Sequence, residues 1–384
     1  MIKHILQLPA ALLCALLASF SAAMPATAAP GVTDRTVILG QSAPLTGPSN
    51  QLGTEMRDGA LAYFDHVNSK GGVNGRTIVL KTLDDGADSQ KAAANTRQLI
   101  EADGVFALFG YVGIAPSKAA LPMAEQADVP FFAALTGGEY LHAQFRPNVF
   151  NIRASNALEG EKIVENLVGM GFKKVAVLYN DDAAGKAAYD EFDRAMKKQK
   201  LSVMGSAKIP RNSTDVAAAA VKIRAMEPSA VLMITTYPAS AAFIQAMRKD
   251  ALSVPFFWNM SFVGSQGLAK ALGNGAPGVM ISQVMPSPWN KRLAVVKQYQ
   301  ELYLTKPERQ AGFSSLEGFI AAKAFVQGLE RAGKQLTRSS FRNALESAQG
   351  LELGGFMLKF SATNHEASNY VELTVIRRDG TFLY

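Results

Sequence analysis

The sequence predicts an α/β protein built as two lobes, each a parallel sheet flanked by helices. Three observations predict it. The chain has 384 residues, 48% hydrophobic and 18% charged, which suits a globular protein with more than one core. From Thr36 onward, short apolar runs alternate with segments of helical spacing. Uninterrupted apolar strands between amphipathic helices imply parallel sheets covered on both faces. The alternation also runs twice, in two β-α-β-α-β-α-β series of comparable length with no sequence repeat between them.

An export address precedes the first series. Lys3 supplies a positive start, an apolar run from Ile5 to Phe20 is broken by Gln7, Pro9 and Ser19, and small residues end in Ala26-Thr27-Ala28-Ala29. The run is short for a membrane span of about 20 residues. Leu12-Leu13 before Cys14 does not suit a lipoprotein site. Residues 1–29 therefore read as a cleavable signal peptide, and the mature chain is expected to be free in the periplasm. Cys14 is the only cysteine, so the mature chain is expected to hold no disulfide, no cysteine metal site and no thiol nucleophile. The signal contains Lys3 and no Asp, Glu or Arg, so its loss lowers the formal net charge of +7 by one. The densest basic cluster, Lys197-Lys198-Gln199-Lys200, ends a helical pattern, where cations suit the helix dipole. No aromatic residues interleave with it, and no nucleic-acid partner is expected.

In the first series, Thr36–Pro44 reads as strand and Glu55–Ser69 as a helix ended by Gly71-Gly72. Asn74-Gly75 is a hairpin-type turn before the strand Thr77–Leu83. Lys91–Glu101 reads as helix, Val105–Val112 as strand, Pro116–Gln126 as helix and Phe131–Ala134 as strand. The second series opens with extended Val149–Arg153 and the helix Glu159–Met170. It continues with strand Lys174–Tyr179, helix Ala187–Lys198, strand Val203–Ile209, helix Val216–Met226, strand Ala230–Ile234, helix Ala239–Arg248 and strand Phe256–Asn259. After a strand at Val279–Pro286 come helices at Leu293–Leu302, Leu316–Gly328 and Ser340–Ala348, then strands at Phe356–Phe360 and Tyr370–Ile376.

Catalytic signatures are missing. His4, His66, His142 and His365 lie far apart, with no H-E-x-x-H, and no P-loop, nucleophile elbow or dinucleotide fingerprint is present after a strand. Neither a metal nor a cofactor is expected, and the chain reads as a non-enzyme. Asp84-Asp85 and Asp181-Asp182 are acid pairs, but each lies between a strand and a helix start, where aspartate caps are common.

Ligands of open α/β sheets bind outside the carboxyl ends of the strands, so the candidate site lies in the loops there. Gly113, Ile114 and Ala115 lead into a helix whose free N–H groups suit an anion, with Pro116 in its first turn; a plain strand-to-helix turn fits equally. Ala134 and Thr136 end the next strand. Thr136 offers a hydroxyl and an N–H, or caps the segment after it, and Gly137-Gly138 permit close approach to the backbone. In the second series Ala184 comes after Asn180-Asp181-Asp182-Ala183, and Tyr237 lines the cleft or a lobe core. Ser261 lies just past the strand ending at Asn259, beside Trp258, which suits packing as well as ligand stacking.

Four stretches together resemble a known family. They are Leu39-Gly40-Gln41-Ser42-Ala43-Pro44-Leu45-Thr46-Gly47, Asn68-Ser69-Lys70-Gly71-Gly72-Val73-Asn74-Gly75-Arg76, Leu83-Asp84-Asp85, and Tyr179-Asn180-Asp181-Asp182-Ala183-Ala184-Gly185. Over Val37 to Phe382 the chain resembles periplasmic substrate-binding proteins of the leucine/isoleucine/valine-binding type, from ABC importers. The resemblance implies two Rossmann-like lobes joined by three hinge crossings, placed near Asn151–Arg153, Ser282–Val284 and Leu353–Met357. The lobes are then 30–151 with 284–353, and 152–283 with 354–384.

Members of that family hold a ligand carboxylate on the first lobe, at positions matching Ile114, Ala115, Ala134 and Thr136. Ile114 departs from the hydroxyl residue common there. Amino-acid binders also carry an acid after the strand matching Phe256–Asn259, where this chain reads Trp258-Asn259-Met260-Ser261-Phe262. A buried ammonium lacking a counter-charge is costly. Ala184 replaces a loop aromatic, which enlarges the pocket. The expected ligand is a small carboxylate, branched-chain amino acid-like or an aromatic or aliphatic acid, with the missing counter-charge favouring one other than leucine itself, and the implied partner is an ABC permease and ATPase complex. The protein is expected to be a monomer. The alternative is a periplasmic sensor that signals to a membrane partner.

Overall fold

The structure, a computed structural model, describes residues 29–249 and 254–384. The signal reading therefore falls, but for its last residue, outside the described residues. The first unit runs β1 (Thr36–Ala43), α1 (Asn50–Ser69), β2 (Thr77–Asp84), α2 (Ser89–Arg97), β3 (Ala107–Phe109), α3 (Ile114–Gln126), β4 (Phe131–Phe132), α4 (Glu139–His142) and β5 (Val149–Phe150). Its five strands are all parallel, in the order β2-β1-β3-β4-β5. Between α1 and β2, Asn74 and Gly75 both have positive φ, and Val73 bridges Arg76, as the hairpin reading requires. Asp88 starts α2 by accepting from the N–H groups of Gln90 and Lys91.

The second unit runs α5 (Asn156–Gly169), β6 (Val175–Asn180), α6 (Ala183–Lys198), β7 (Gly205–Ile209), α7 (Ala217–Arg224), β8 (Ala230–Ile234), α8 (Tyr237–Arg248), β9 (Phe256–Asn259), α9 (Ser265–Leu272) and β10 (Met280–Gln283). The chain then returns to the first unit through α10 (Ala294–Tyr303), α11 (Phe313–Ala332) and α12 (Arg338–Ser347), with α11 packed along α1. A small hairpin, β11 (Leu351–Glu352) and β12 (Met357–Leu358), precedes β13 (Glu372–Ile376) and β14 (Phe382–Leu383). The second sheet has the order β14-β13-β10-β9-β8-β6-β7. Its two last-added strands are antiparallel, so this sheet is mixed at one edge.

Aromatic packing fixes the first lobe. Phe109, Phe132 and Phe150 sit on adjacent strands, and Phe325 of α11 meets Phe109 and Phe132 edge-on, at 5.9 and 5.2 Å between centroids. Each such buried ring contributes roughly 1.5–3 kcal/mol. Phe360 packs on Phe132 and Phe150, and His365 stacks on Phe150 at 4.0 Å. That packing moves the third crossing. It was expected at Leu353–Met357, with 354 onward in the second lobe. Instead the chain through Glu366 stays against the first sheet, where Asn151 and Glu366 form a parallel bridge, and it reaches the second sheet only at β13.

Several strands are shorter than their apolar runs. The run Val105–Val112 pairs as a strand only over Ala107–Phe109, yet Val105 to Val112 are all buried. The apolarity beyond the ladder serves core packing. Helices α3, α6 and α8 in turn start earlier than the helical spacing indicated, and this bears on the site.

Candidate functional site

The carboxyl ends of β3 and β4 face those of β6 and β8 across a cleft between the two units. The cleft has a narrow inner compartment of about 60 Å³ and a broader one of about 810 Å³. Ile114, Ala184, Ala188 and Arg211 border both.

The first lobe presents the start of α3. Gly113 precedes it at φ 92°, ψ 154°, a conformation open essentially to glycine alone, and this swings the chain from β3 into the helix. The N–H groups of Ile114 and Ala115 carry no hydrogen bond among the described residues, and both residues line the cleft. Pro116 sits third in the helix, where it has no intrahelical donor to lose. Thr136 lines the narrow compartment beside them. Its N–H is already bonded to the Ala134 carbonyl at 2.9 Å, so the two donors expected there reduce to one. The hydroxyl oxygen accepts from Gly138 N–H at 3.3 Å, which leaves the O–H proton for a ligand. The close approach at Gly137-Gly138 is by the protein itself. A Cβ on Gly137 would lie 2.5 Å from Asn156 Oδ1, and one on Gly138 would lie 2.8 Å from the Ile114 side chain.

The second lobe contributes Asn180, Ala184, Arg211, Thr236 and Phe262 to the narrow compartment. Of the loop expected at 180–185, Asn180 still belongs to β6 and Ala183 to Gly185 already form the first turn of α6, which Asp182 caps by accepting from Gly185 N–H at 2.8 Å. The same carboxylate takes Arg211 Nε at 2.6 Å. Thr236 caps α8 by position, but its side chain makes no cap bond. No residue lining the narrow compartment is acidic. Four acids border the broad one. Asp88 and Asp182 cap helices, Glu139 pairs with Arg194, and Glu191 accepts from Glu139 N–H at 3.3 Å with one oxygen, while its Oε2 is buried without a partner among the described residues. Burial, reinforced by repulsion from Glu139, pushes the Glu191 carboxyl up to about 7.

Of the residues singled out from sequence, the cleft gathers Gly113, Ile114, Ala115, Thr136 and Ala184. Ala134 is buried in the core beside it. Tyr237 lies outside both compartments, the first residue of α8, with its ring against Gly267 of α9. Ser261 is also outside them. Its N–H and hydroxyl both donate to Glu159, and it accepts from Arg153. Trp258 is a packing residue, fully buried, with Nε1 donating to Asn166 Oδ1 at 3.3 Å. Sequence reasoning did not single out Arg211, Leu52 or Phe262. Only the position of Arg211 just past a strand end pointed to it.

The fold agrees with comparisons to known proteins. A family model described as periplasmic binding protein matches residues 36–381. The Leu/Ile/Val-binding protein homolog 7 of Brucella abortus (strain 2308) is 26% identical over 374 residues, covering 91% of this chain and 90% of that protein. A possible leucine/isoleucine/valine-binding protein from Rhodopirellula baltica SH 1 has a solved structure that matches with TM-score 0.86 at 30% identity, covering 94% of this chain and 98% of that one. The substrate-binding periplasmic protein of Ralstonia solanacearum matches with TM-score 0.84 at 30% identity, covering 90% and 99% of the two chains.

Proposed function

The chain belongs to the periplasmic binding protein family, among relatives of the Leu/Ile/Val-binding type, and from that membership we propose that it is the solute-binding component of an ABC importer. It captures a small carboxylate without an α-ammonium, aromatic or branched aliphatic, and hands it to a membrane permease. One observation carries the ligand class: the cleft around the narrow compartment meets its occupant with unbonded amides at Ile114 and Ala115, the Thr136 hydroxyl and the Arg211 cation, and the compartment itself has no acid. Those are donors and a positive charge, which suit a carboxylate; within the narrow compartment an ammonium would find no acid to pair with. The methyl of Ala184 leaves the way open to the broader compartment, with room for a ring or a branched chain.

Binding works through a population shift. Contacts from both lobes favour the closed arrangement, and the crossings near Asn151, near Ser282–Val284 and between Glu366 and β13 act as the hinge. No described helix is long and apolar enough to cross a membrane. Export rests on the proposed cleavage of residues 1–29, which N-terminal sequencing of the secreted protein checks. The function is tested by thermal shift and calorimetry with benzoate, 3-methylbutanoate and leucine, and by native mass spectrometry of the protein from its host. Stabilisation by leucine alone defeats the ligand class. A co-purified mass matching no carboxylate does the same.

A further inference from the structure

We propose that His142 is a positioning residue for the ligand anchor Thr136, and that through Glu366 it ties this anchor to the hinge crossing at Asn151. The inference deepens the reading above and rests on it for the role of Thr136. His142 ends the single turn of α4, and its side chain is almost fully buried. Its Nε2 lies 3.1 Å from the Thr136 carbonyl oxygen. A carbonyl only accepts, so Nε2 carries the proton of that bond. Nδ1 pairs with one carboxylate oxygen of Glu366. The other oxygen accepts from Asn151 Nδ2 at 2.6 Å. Backbone bonds fasten the same join: Asn151 N–H to the His365 carbonyl at 3.0 Å, and Ala367 N–H to the Asn151 carbonyl at 2.9 Å. The neighbouring charges do not compete for the ring. His365 is held by the Val149 carbonyl and Glu346, and Arg146 pairs with Glu125.

The need for such a brace comes from the loop. Gly137-Gly138 come directly after Thr136; Asn156 N–H holds the Gly137 carbonyl at 2.7 Å, but the Thr136–Gly137 peptide itself is flanked by a residue without a Cβ, which restricts its rotation least. The bond from Thr136 N–H to Ala134 fixes that residue from one side only. Holding its carbonyl from the other side sets ψ at Thr136. That keeps Gly138 N–H on the Thr136 oxygen, so the hydroxyl proton points where the ligand lies. Because the brace continues into Glu366 and Asn151, an anchor engaged by ligand is linked to the segment that bends.

The test compares His142→Gln, whose amide reaches the Nε2 position, with His142→Asn, whose amide reaches only the Nδ1 position. Hydrogen exchange on the ligand-free protein reads the loop directly. Exchange of the Gly137–Leu141 amides is expected to rise about five- to tenfold in His142→Asn and to stay near wild type in His142→Gln. Glu366→Ala is expected to raise exchange in the same peptide despite its distance in sequence. Calorimetry with benzoate or 3-methylbutanoate should show the same split in affinity. Equal behaviour of the Gln and Asn variants overturns the positioning role, and unchanged loop exchange in Glu366→Ala overturns the tie to the hinge. If the exchange split appears but wild type binds neither acid, the carboxylate reading fails and the brace stands. If the acids bind and the split is absent, the brace fails and the reading stands.

Discussion

Asp182 and Arg211 share one bond at the cleft wall: Asp182 Oδ2 takes Arg211 Nε at 2.6 Å while Oδ1 caps α6 through Gly185 N–H. One carboxylate thus starts a helix and aims a guanidinium whose NH1 and NH2 groups make no bond to the described residues. Arg211→Ala is expected to weaken benzoate binding by about 1.5–3 kcal/mol, the usual worth of a hydrogen bond to a charged group. Its residual affinity should also lose much of its dependence on ionic strength. Asp182→Asn has one acceptor oxygen where the carboxylate has two, so it keeps the cap on Gly185 N–H but turns its amide NH2 toward Arg211 Nε; α6 should hold while Arg211 is no longer aimed and anion affinity falls. Calorimetry at two salt concentrations checks both variants. An Arg211→Ala affinity equal to wild type removes Arg211 from the site.

Thr136 is the first-lobe counterpart. With its N–H engaged by Ala134, only the hydroxyl is left to donate. Thr136→Ala should cost about 1.5–3 kcal/mol in carboxylate binding, and Thr136→Ser should recover most of it. A Ser variant as weak as the Ala variant would show that the methyl, and not the hydroxyl, matters.

The sequence made the two-lobe α/β plan legible because strands buried on both faces must be apolar and the flanking helices must be amphipathic. Val175–Asn180 is buried at every position and so reads plainly. The first-lobe half of the site was legible too, since Gly113 and Thr136 lie just past strand ends. Other placements depend on residues far away in the chain. Ser261 looked free, but Glu159 and Arg153, more than a hundred residues earlier, take up its polar atoms. Tyr237 reads as a cleft or lobe-core aromatic, but α9, an eight-residue helix between β9 and β10, passes against its ring. The third crossing was misplaced because Phe360 and His365 read as ordinary strand and loop residues until Phe132 and Phe150 are seen beneath them.

Glu191 gives a pH dependence of known sign. It is 3% exposed, and burial, aided by repulsion from Glu139, raises its carboxyl from 4.5 to about 7. The folded state therefore binds this proton more tightly than the unfolded state. The associated stability is fully present below about pH 4.5 and is lost as pH rises toward 7, after which the curve is flat. The loss is on the order of 3 kcal/mol. Glu55, also raised to about 7 chiefly by burial, adds a slope of the same sign. Urea melts at pH 5, 6, 7 and 8 should show falling stability in wild type, and Glu191→Gln should flatten part of that fall. An identical slope in the variant would rule Glu191 out as its source.

The hinge carries a buried ion cluster, and its response to mutation should be unequal. Arg153 lies just past the first crossing and is 1% exposed. Its guanidinium meets Glu317 of α11 at 3.3 Å and Glu159 of α5 at 3.7 Å, so one cation joins the two lobes. Ser261 and Ser282 donate to Glu159 as well. Burial holds the Glu317 carboxyl above the ordinary range, opposed by Arg153. Arg153→Met would leave two carboxylates buried without a counter-charge, and the expected loss is about 3–5 kcal/mol or failure to fold. Glu317→Gln removes one of the two negative charges and keeps a hydrogen-bonding group beside a cation that Glu159 still neutralises, so its loss should be clearly smaller. Chemical denaturation of both variants orders them. A Glu317→Gln protein less stable than Arg153→Met would mean that Glu317, not Glu159, is the partner on which the charge balance of Arg153 depends.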